Sequence, residues 1–227
     1  NGEVNLVLNA LWKTILILFF LQVPANAETH AKAILAFSRG DYVSASLIWT
    51  ALAEQGDAKS QFNIAIMAEN GFGIDVNFEK SLILYGLADS QNDSFAAFNL
   101  GLIYFSGSGV SKDVARGIKY LESAAQAGDI LAQYKLGQIY ELGIDIDADY
   151  KAAFNWYLKA ANQNHTTSQF KLASFLSTGK GVKLNLTLAN EWMEKADISL
   201  MDGPSTTACT PRSMVEFEHC RRTMVRN

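Results

Sequence analysis

Four glycines recur at a fixed interval and constrain the fold of this chain more than any other feature of its sequence. Each follows the last by 36 residues, at Gly71, Gly107, Gly143 and Gly179. An internal period of this size is typical of solenoids, in which helix pairs too small to bury their apolar faces alone stack into a continuous core. The period therefore predicts an all-α protein, an α/α solenoid or superhelix of helix-turn-helix repeats.

The residues before each glycine have the pattern of a helix with one inward face. In the first repeat this face carries Ser60, Ile64, Ala65 and Ala68. Residues at these spacings lie on one side of an α-helix, and similar residues return one period later. Two glycines then end the helix, because glycine accepts the positive φ that a helix end of this kind needs. In the third repeat, Asp145 stands where the second glycine is expected.

A column of Asp and Asn residues predicts the start of a second helix in every repeat. Its members are Asp41, Asn77, Asp113, Asp149 and Asn185. Such side chains accept hydrogen bonds from the free backbone N–H groups at a helix start. Positions 45, 48 and 52 and their equivalents are expected to face inwards. By the same reasoning, the first helices of the repeats are expected to be capped by Asp57, Asp93, Asp129 and His165.

The period divides the chain into successive helix pairs and a tail. Complete repeats are predicted at residues 58–93, 94–129, 130–165 and 166–201. A shortened, atypical pair precedes them at residues 28–57, and residues 202–227 form a tail that is expected to cap the last repeat. Both cysteines of the chain, Cys209 and Cys220, lie in this tail. In an exported protein we expect these two cysteines to form a disulfide with each other. The alternative is that their thiols are free or pair with another molecule.

The amino-terminal residues 1–27 have the parts of a secretory signal peptide. Lys13 precedes an apolar run at residues 14–23, and Ala25, Asn26 and Ala27 have the small-x-small form of a cleavage site. We expect cleavage after Ala27, which would make the mature protein periplasmic or secreted. The alternative is an uncleaved membrane anchor at residues 4–23.

Three stretches of the chain resemble the Sel1-like repeat, a relative of the tetratricopeptide repeat. They are Ala132–Tyr140, Gly107–Val110 with Asp113, and Asn155–Ala161. The resemblance implies an α/α superhelix with a concave face, and a non-enzymatic adaptor or scaffold that binds other proteins. Secreted bacterial members of the family serve envelope signalling, polysaccharide export, motility or host interaction, so we expect a role in envelope signalling or assembly.

The side of the first helix that lies away from the inward face is expected to line the concave groove for a partner in each repeat. Its residues are Phe62, Asn63, Ile66, Phe98, Asn99, Leu102, Tyr134, Lys135, Gln138, Phe170 and Lys171. The aromatic members could grip an extended peptide or a helix, and the alternative is that they pack between adjacent repeats, since aromatic rings are common core fillers. The Asn and Lys members beside them could bind the backbone or the carboxylates of a partner.

No cluster of residues in the sequence points to catalysis, a cofactor or a metal. The three histidines are far apart, and Asp145, Asp147 and Asp149 lack the glycine and glutamate of a calcium loop. The net charge of −4 argues against nucleic-acid binding. We therefore expect a monomer that binds a protein partner, without a cofactor, without nucleic acid, and without membrane contact after signal cleavage.

Two other functions stay open at this point. One is a secreted hydrolase of cell-wall or β-lactam substrates, because cysteine-rich secreted relatives of the family have been linked to such activity. Those relatives carry a cysteine pair in each repeat, which this chain lacks. The other is a structural subunit of an envelope machine.

Overall fold

The computed structural model describes residues 27–201, with side chains up to residue 197. The expected signal peptide at residues 1–27, apart from its last residue Ala27, and the expected disulfide between Cys209 and Cys220 lie outside this part of the chain. The described residues are helical and contain no strand. None of their helices is both long enough and apolar enough to cross a bilayer. The chain falls into two compact units, one up to Ala88 and one from Asp89.

The described part of the first unit contains four helices, and aromatic contacts join them in pairs. They are α1 at residues 27–38, α2 at Tyr42–Glu54, α3 at Ala58–Asn70 and α4 at Phe78–Asp89. Phe37 of α1 lies 5.4 Å from Trp49 of α2, measured between ring centroids. Phe62 of α3 lies 5.9 Å from Tyr85 of α4. Ring contacts therefore pack α1 against α2 and α3 against α4.

The second unit continues the same alternation of helices. It consists of α5 at Ser94–Ser106, α6 at Val114–Gln126, α7 at Ile130–Leu142, α8 at Tyr150–Asn162, α9 at Thr166–Thr178 and α10 at Leu186–Met201. Successive helices pack against one another. One apolar cluster includes Leu121 and Leu136, and a second includes Leu172 and Phe175. The predicted all-α solenoid of helix pairs is confirmed.

The predicted N-caps are present at the helix starts. At each of these starts, the backbone N–H of the residue three positions after the cap donates to the capping side chain at 2.7–3.1 Å. The accepting side chains are those of Asp41, Asp57, Asn77, Asp93, Asp113, Asp129, Asp149 and Asn185. His165 has the same role, with its Nδ1 atom 3.3 Å from the Ser168 nitrogen. These bonds satisfy donors that a helix start otherwise leaves unpaired.

The glycine column adopts the left-handed backbone that the period predicts. The φ angles are 75°, 77°, 63° and 70° at Gly71, Gly107, Gly143 and Gly179. Asp145 keeps the same turn in the third repeat with a φ of 59°. Its carboxylate accepts a hydrogen bond of 2.7 Å from Lys112 in the preceding turn, so an ion pair accompanies the backbone strain at this position.

The inward face of the second helices needs a correction. The predicted column is only half-buried at Ile48, Leu84, Tyr120 and Trp156, and in the last repeat it is buried as predicted, at Trp192. Before the last repeat the following column is buried instead, at Trp49, Tyr85, Leu121 and Tyr157. Tyr157 shows the reason, because its ring contacts Tyr134 of α7 on one side and Phe175 of α9 on the other. Tyr157 is thus buried by a helix of its own repeat and by a helix of the next repeat. The sequence pattern of one helix does not show that the next repeat also packs on it.

A column of buried glutamines, absent from the sequence-based prediction, joins consecutive helix pairs. The Nε2 atoms of Gln61, Gln133 and Gln169 donate to backbone carbonyls eight residues earlier, at 3.3, 2.9 and 3.4 Å. The acceptors lie in the last turn of the preceding helix, at Ala53, Ala125 and Ala161. A buried amide costs free energy unless it is hydrogen-bonded. These contacts therefore fix the connection at which one helix pair follows the other.

Mild acid should destabilise the second unit through the histidine cap. His165 accepts the Ser168 N–H through Nδ1, which requires an unprotonated nitrogen. Burial lowers the pKa of His165 from its ordinary value of 6.5. The folded state thus favours the neutral ring, so the stabilisation is complete above the ordinary pKa and is lost as the pH falls below it. Between about pH 7.5 and about pH 5 we expect a loss of about 1 kcal/mol in the free energy of unfolding, the usual contribution of a cap.

The matched control is His165→Asp, which restores the capping residue of the other repeats. Its carboxylate stays ionised over this range, so the variant should lose less stability than the native protein in urea unfolding at the two pH values. Equal losses in the two proteins would show that the cap does not cause the pH dependence.

Candidate functional site

The predicted groove residues differ in how far they are buried. Phe62, Phe98 and Asn99 are 6%, 7% and 8% exposed, and the other eight are half-buried. Phe62 packs on the ring of Tyr85, and Phe98 belongs to an apolar cluster of the second unit. For these two rings the burial fits the packing alternative. The groove residues from Tyr134 onwards, in the second unit, remain accessible enough to meet a partner.

A compact group of polar side chains in the second unit has Glu141 at its centre. Its Oε2 atom accepts hydrogen bonds from Tyr157 Oη at 2.7 Å and from Lys171 Nζ at 2.9 Å. Lys180 Nζ lies 3.7 Å from Oε1. Tyr134 and Gln138 complete the group, which we name the Glu141 cluster. Its members come from α7, α8, α9 and the turn after α9, so the helix packing of two repeats assembles it.

The carboxyl of Glu141 stays ionised although it is largely buried. Burial alone would raise its pKa. The hydrogen bonds from Tyr157 and Lys171, together with the charges of Lys171 and Lys180, outweigh burial and hold the pKa below its usual value. Burial and the adjacent carboxylate raise the pKa of Tyr157, so this hydroxyl keeps its proton and acts as a donor.

Tyr134 is oriented by three neighbours. Its hydroxyl oxygen accepts a hydrogen bond of 2.9 Å from Gln138 Nε2. Its ring lies 4.8 Å from His165 and 5.8 Å from Tyr157, measured between centroids. Since the Tyr134 oxygen is the acceptor in its bond with Gln138, the hydroxyl proton can be donated to another group.

The two lysines of the cluster are held in place but reach solvent. Lys180 Nζ lies 4.3 Å from the centre of the Tyr150 ring and 5.5 Å from that of Phe175. The side chains of Lys171 and Lys180 are 35% and 38% exposed, whereas that of Glu141 is 11% exposed. The cluster therefore presents fixed positive charges and hydrogen-bond donors at the surface, an arrangement suited to binding.

The repeats that build this site match a known family. The model of the Sel1 repeat matches residues 58–93, 94–129, 130–165 and 166–196, which is more than half of the chain. The chain belongs to the Sel1 repeat family. Proteins of this family generally bind other proteins as non-enzymatic scaffolds.

Solved structures of Sel1 repeat proteins have the same fold. A Sel1 repeat protein from Oxalobacter formigenes is 27% identical with a TM-score of 0.66, over 74% of this chain and 69% of that one. A protective antigen present in uropathogenic Escherichia coli strains is 20% identical with a TM-score of 0.69, over 90% of this chain and 46% of that one. The chain thus spans less than half of the Escherichia coli protein. No curated protein matches the sequence.

The first Sel1 repeat contains a counterpart of the Glu141 contact. Tyr85 Oη donates to Glu69 Oε2 at 2.9 Å, and both residues precede their third-repeat equivalents by two periods. Among the described residues no lysine or arginine forms an ion pair with Glu69. Burial raises the pKa of the Glu69 carboxyl, and the hydrogen bond from Tyr85 opposes this only in part.

The sequence holds a signal for this pairing that the groove prediction missed. Glu occurs 16 residues before Tyr in the first and third Sel1 repeats, whereas the second repeat has Phe105 and Leu121 at the same positions. Both of these are buried. Over the first three repeats the two positions thus change together from polar to apolar, as expected of side chains in contact, whereas the fourth repeat has the exposed residues Ser177 and Met193 there. The described residues contain no group of His, Cys, Asp and Glu that could hold a metal ion.

Removing the charge of the two glutamates should have opposite effects. At neutral pH, Glu141→Gln loses charge-assisted hydrogen bonds and should destabilise the protein by about 1.5–3 kcal/mol. Glu69→Gln keeps an acceptor for Tyr85 and removes a buried carboxylate whose raised pKa costs stability above that pKa, so it should be neutral or stabilising. Urea unfolding of both variants measures the two effects.

The pH dependence separates the charge effect from general damage. The stabilisation by Glu141 is present above the ordinary carboxyl pKa and is lost as the pH falls through the lower folded value, so the defect of Glu141→Gln should shrink in acid. The gain from Glu69→Gln should also shrink in acid, because the native carboxyl then becomes neutral. If both variants lower the free energy of unfolding by the same amount at every pH, the pairing with Lys171 and Lys180 does not cause the difference between Glu141 and Glu69.

Proposed function

We propose that this Sel1 repeat protein is an exported adaptor that binds a protein partner through the first-helix side of its second unit. The Glu141 cluster is the observation that carries the proposal. Its side chains are fixed by contacts with one another, and its lysines remain exposed to solvent. Binding to side chains that are already ordered costs less conformational entropy than binding to free ones.

The surface around the cluster offers more than charge. Lys135 and Phe170, both half-buried, belong to the same two helices, α7 and α9. Leu142 at the end of α7 is 64% exposed. A surface that combines aromatic, aliphatic and polar groups suits a polypeptide, which presents the same mixture. The hydrolase alternative gains no support from the cluster, because Tyr157 keeps its proton and both lysines pair with Glu141.

Export is the second part of the proposal. Its support is the amino-terminal sequence, where Lys13, the apolar run at residues 14–23 and the triplet ending at Ala27 follow the order of a signal peptide. The mature chain would begin at Glu28 and act as a monomer in the periplasm or outside the cell. Envelope signalling or envelope assembly is the process in which such an adaptor would serve.

Photo-crosslinking in the native host tests the adaptor surface. A photoreactive amino acid replaces Ser174, which is exposed on α9 one turn after Lys171. The matched control places it at Asn155, which is exposed on α8 of the same unit. We expect a discrete protein adduct from position 174 and none from position 155, because the proposed surface lies on α7 and α9.

The same cells test export. After fractionation, the adduct and the free protein should be found in the envelope or the medium, with Glu28 as the first residue by mass spectrometry. Adducts of equal yield at both positions, or none at position 174, would contradict the adaptor surface. A cytosolic protein that retains residues 1–27 would contradict export.

A further inference from the structure

We infer that the partner segment bound by this surface is acidic and extended, and that its carboxylates pair with Lys135, Lys171 and Lys180. The inference rests on the proposed function and names the chemistry of its partner. It follows from the balance of charge on α7 and α9 and from the way the lysines are held.

The charge of the Glu141 cluster is opposite to that of the chain. The whole chain has a net charge of −4, whereas α7 and α9 carry Lys135 and Lys171 and only one carboxylate, that of Glu141. Lys180 follows in the turn after α9, and three aspartates follow in the turn after α7. Around Glu141 itself, one carboxylate faces the two ammonium groups of Lys171 and Lys180, so the cluster keeps one positive charge for a ligand. Clusters of one sign on a protein of the other sign select partners of complementary charge.

Lys171 and Lys180 are positioned for a carboxylate from solvent. Each ammonium group has three donor protons, and Glu141 accepts from Lys171 at 2.9 Å. Lys180 lies beside the rings of Tyr150 and Phe175 and 3.7 Å from the second oxygen of Glu141. The remaining protons of both lysines can therefore be donated to a second anion, while Glu141 keeps the side chains ordered.

Lys135 extends the positive surface by one repeat. It occupies the position equivalent to Lys171, 36 residues earlier, and is half-buried. None of the ion pairs among the described residues involves it. The hydroxyl of Tyr134, the neighbouring residue in sequence, accepts from Gln138 and can donate its own proton to a ligand. Donors distributed over two repeats fit an extended segment with several carboxylates better than a single small anion.

An acidic polypeptide fits this surface better than a nucleic acid. Asp145, Asp147 and Asp149 are exposed in the turn between α7 and α8. Their carboxylates confine the positive charge to the neighbourhood of the lysines, whereas a polyphosphate needs a broad positive field. A short acidic segment needs only the local lysines.

Fluorescence anisotropy with a defined probe tests the inference. The probe is a fluorescein-labelled hexaglutamate peptide, added to the full chain at low ionic strength, and the variant is Lys135→Glu with Lys171→Glu. The matched control is Lys119→Glu with Lys151→Glu, which changes the net charge equally at exposed positions of α6 and α8. We expect the first pair to weaken binding about tenfold or more and the control pair to weaken it by about twofold or less.

Three results would overturn the inference: no binding of hexaglutamate, equal losses in the two double variants, or equally strong binding of a hexalysine probe or a single-stranded DNA oligomer. If the first double variant does not fold, as judged by circular dichroism, Lys135→Gln with Lys171→Gln replaces it, and Lys119→Gln with Lys151→Gln becomes the control.

Failure of the inference is distinguishable from failure of the proposed function. An adduct at position 174 that persists in the Lys135→Glu, Lys171→Glu protein would keep the adaptor and reject the acidic partner. Absence of the adduct in the native background would reject the adaptor itself.

Discussion

The left-handed turn after the first helix of each repeat is the constraint on which the rest of the structure depends. Its first glycine ends the helix, and in the first and fourth repeats its second glycine brings the turn against the preceding helix pair. A Cβ atom at Gly181 would lie 2.6 Å from the backbone of Tyr150, where α8 begins, and Gly73 has a similar approach to Tyr42 at the start of α2. At these two places, one in each unit, consecutive pairs are thus positioned by backbone contact, which fixes their relation more firmly than flexible side chains do.

This placement explains how residues distant in sequence form one site. Glu141 and Lys171 are 30 residues apart, yet they are joined because α7 and α9 are held by the turn, by α8 between them and by the amides of Gln133 and Gln169. The same scaffold in the first repeat holds Glu69 against Tyr85 without a lysine. A conserved backbone geometry therefore lets each repeat present a different surface, and binding specificity follows from the residues that vary.

The parts of the structure that were predictable from the sequence are the local ones. Caps such as Asp57 and turn glycines such as Gly71 are set by residue type at a fixed spacing, so the period predicts them. The site depends on contacts between repeats. The burial of Tyr157 requires rings from both α7 and α9, and the ionised state of Glu141 requires Lys171 and Lys180. A periodic pattern shows which positions correspond, but it does not show which ones touch.

The most direct test of this account compares two glycines of one turn by urea unfolding. Gly179→Ala and Gly181→Ala both place a side chain at a φ of 70°, which costs about 1 kcal/mol. At Gly179 the new Cβ would meet Leu184 at an ordinary 3.5 Å, whereas at Gly181 it would collide with the backbone of α8. The account predicts that Gly181→Ala lowers the free energy of unfolding by about 1–3 kcal/mol more than Gly179→Ala does. Equal losses would show that the turn does not set the packing of one repeat on the next.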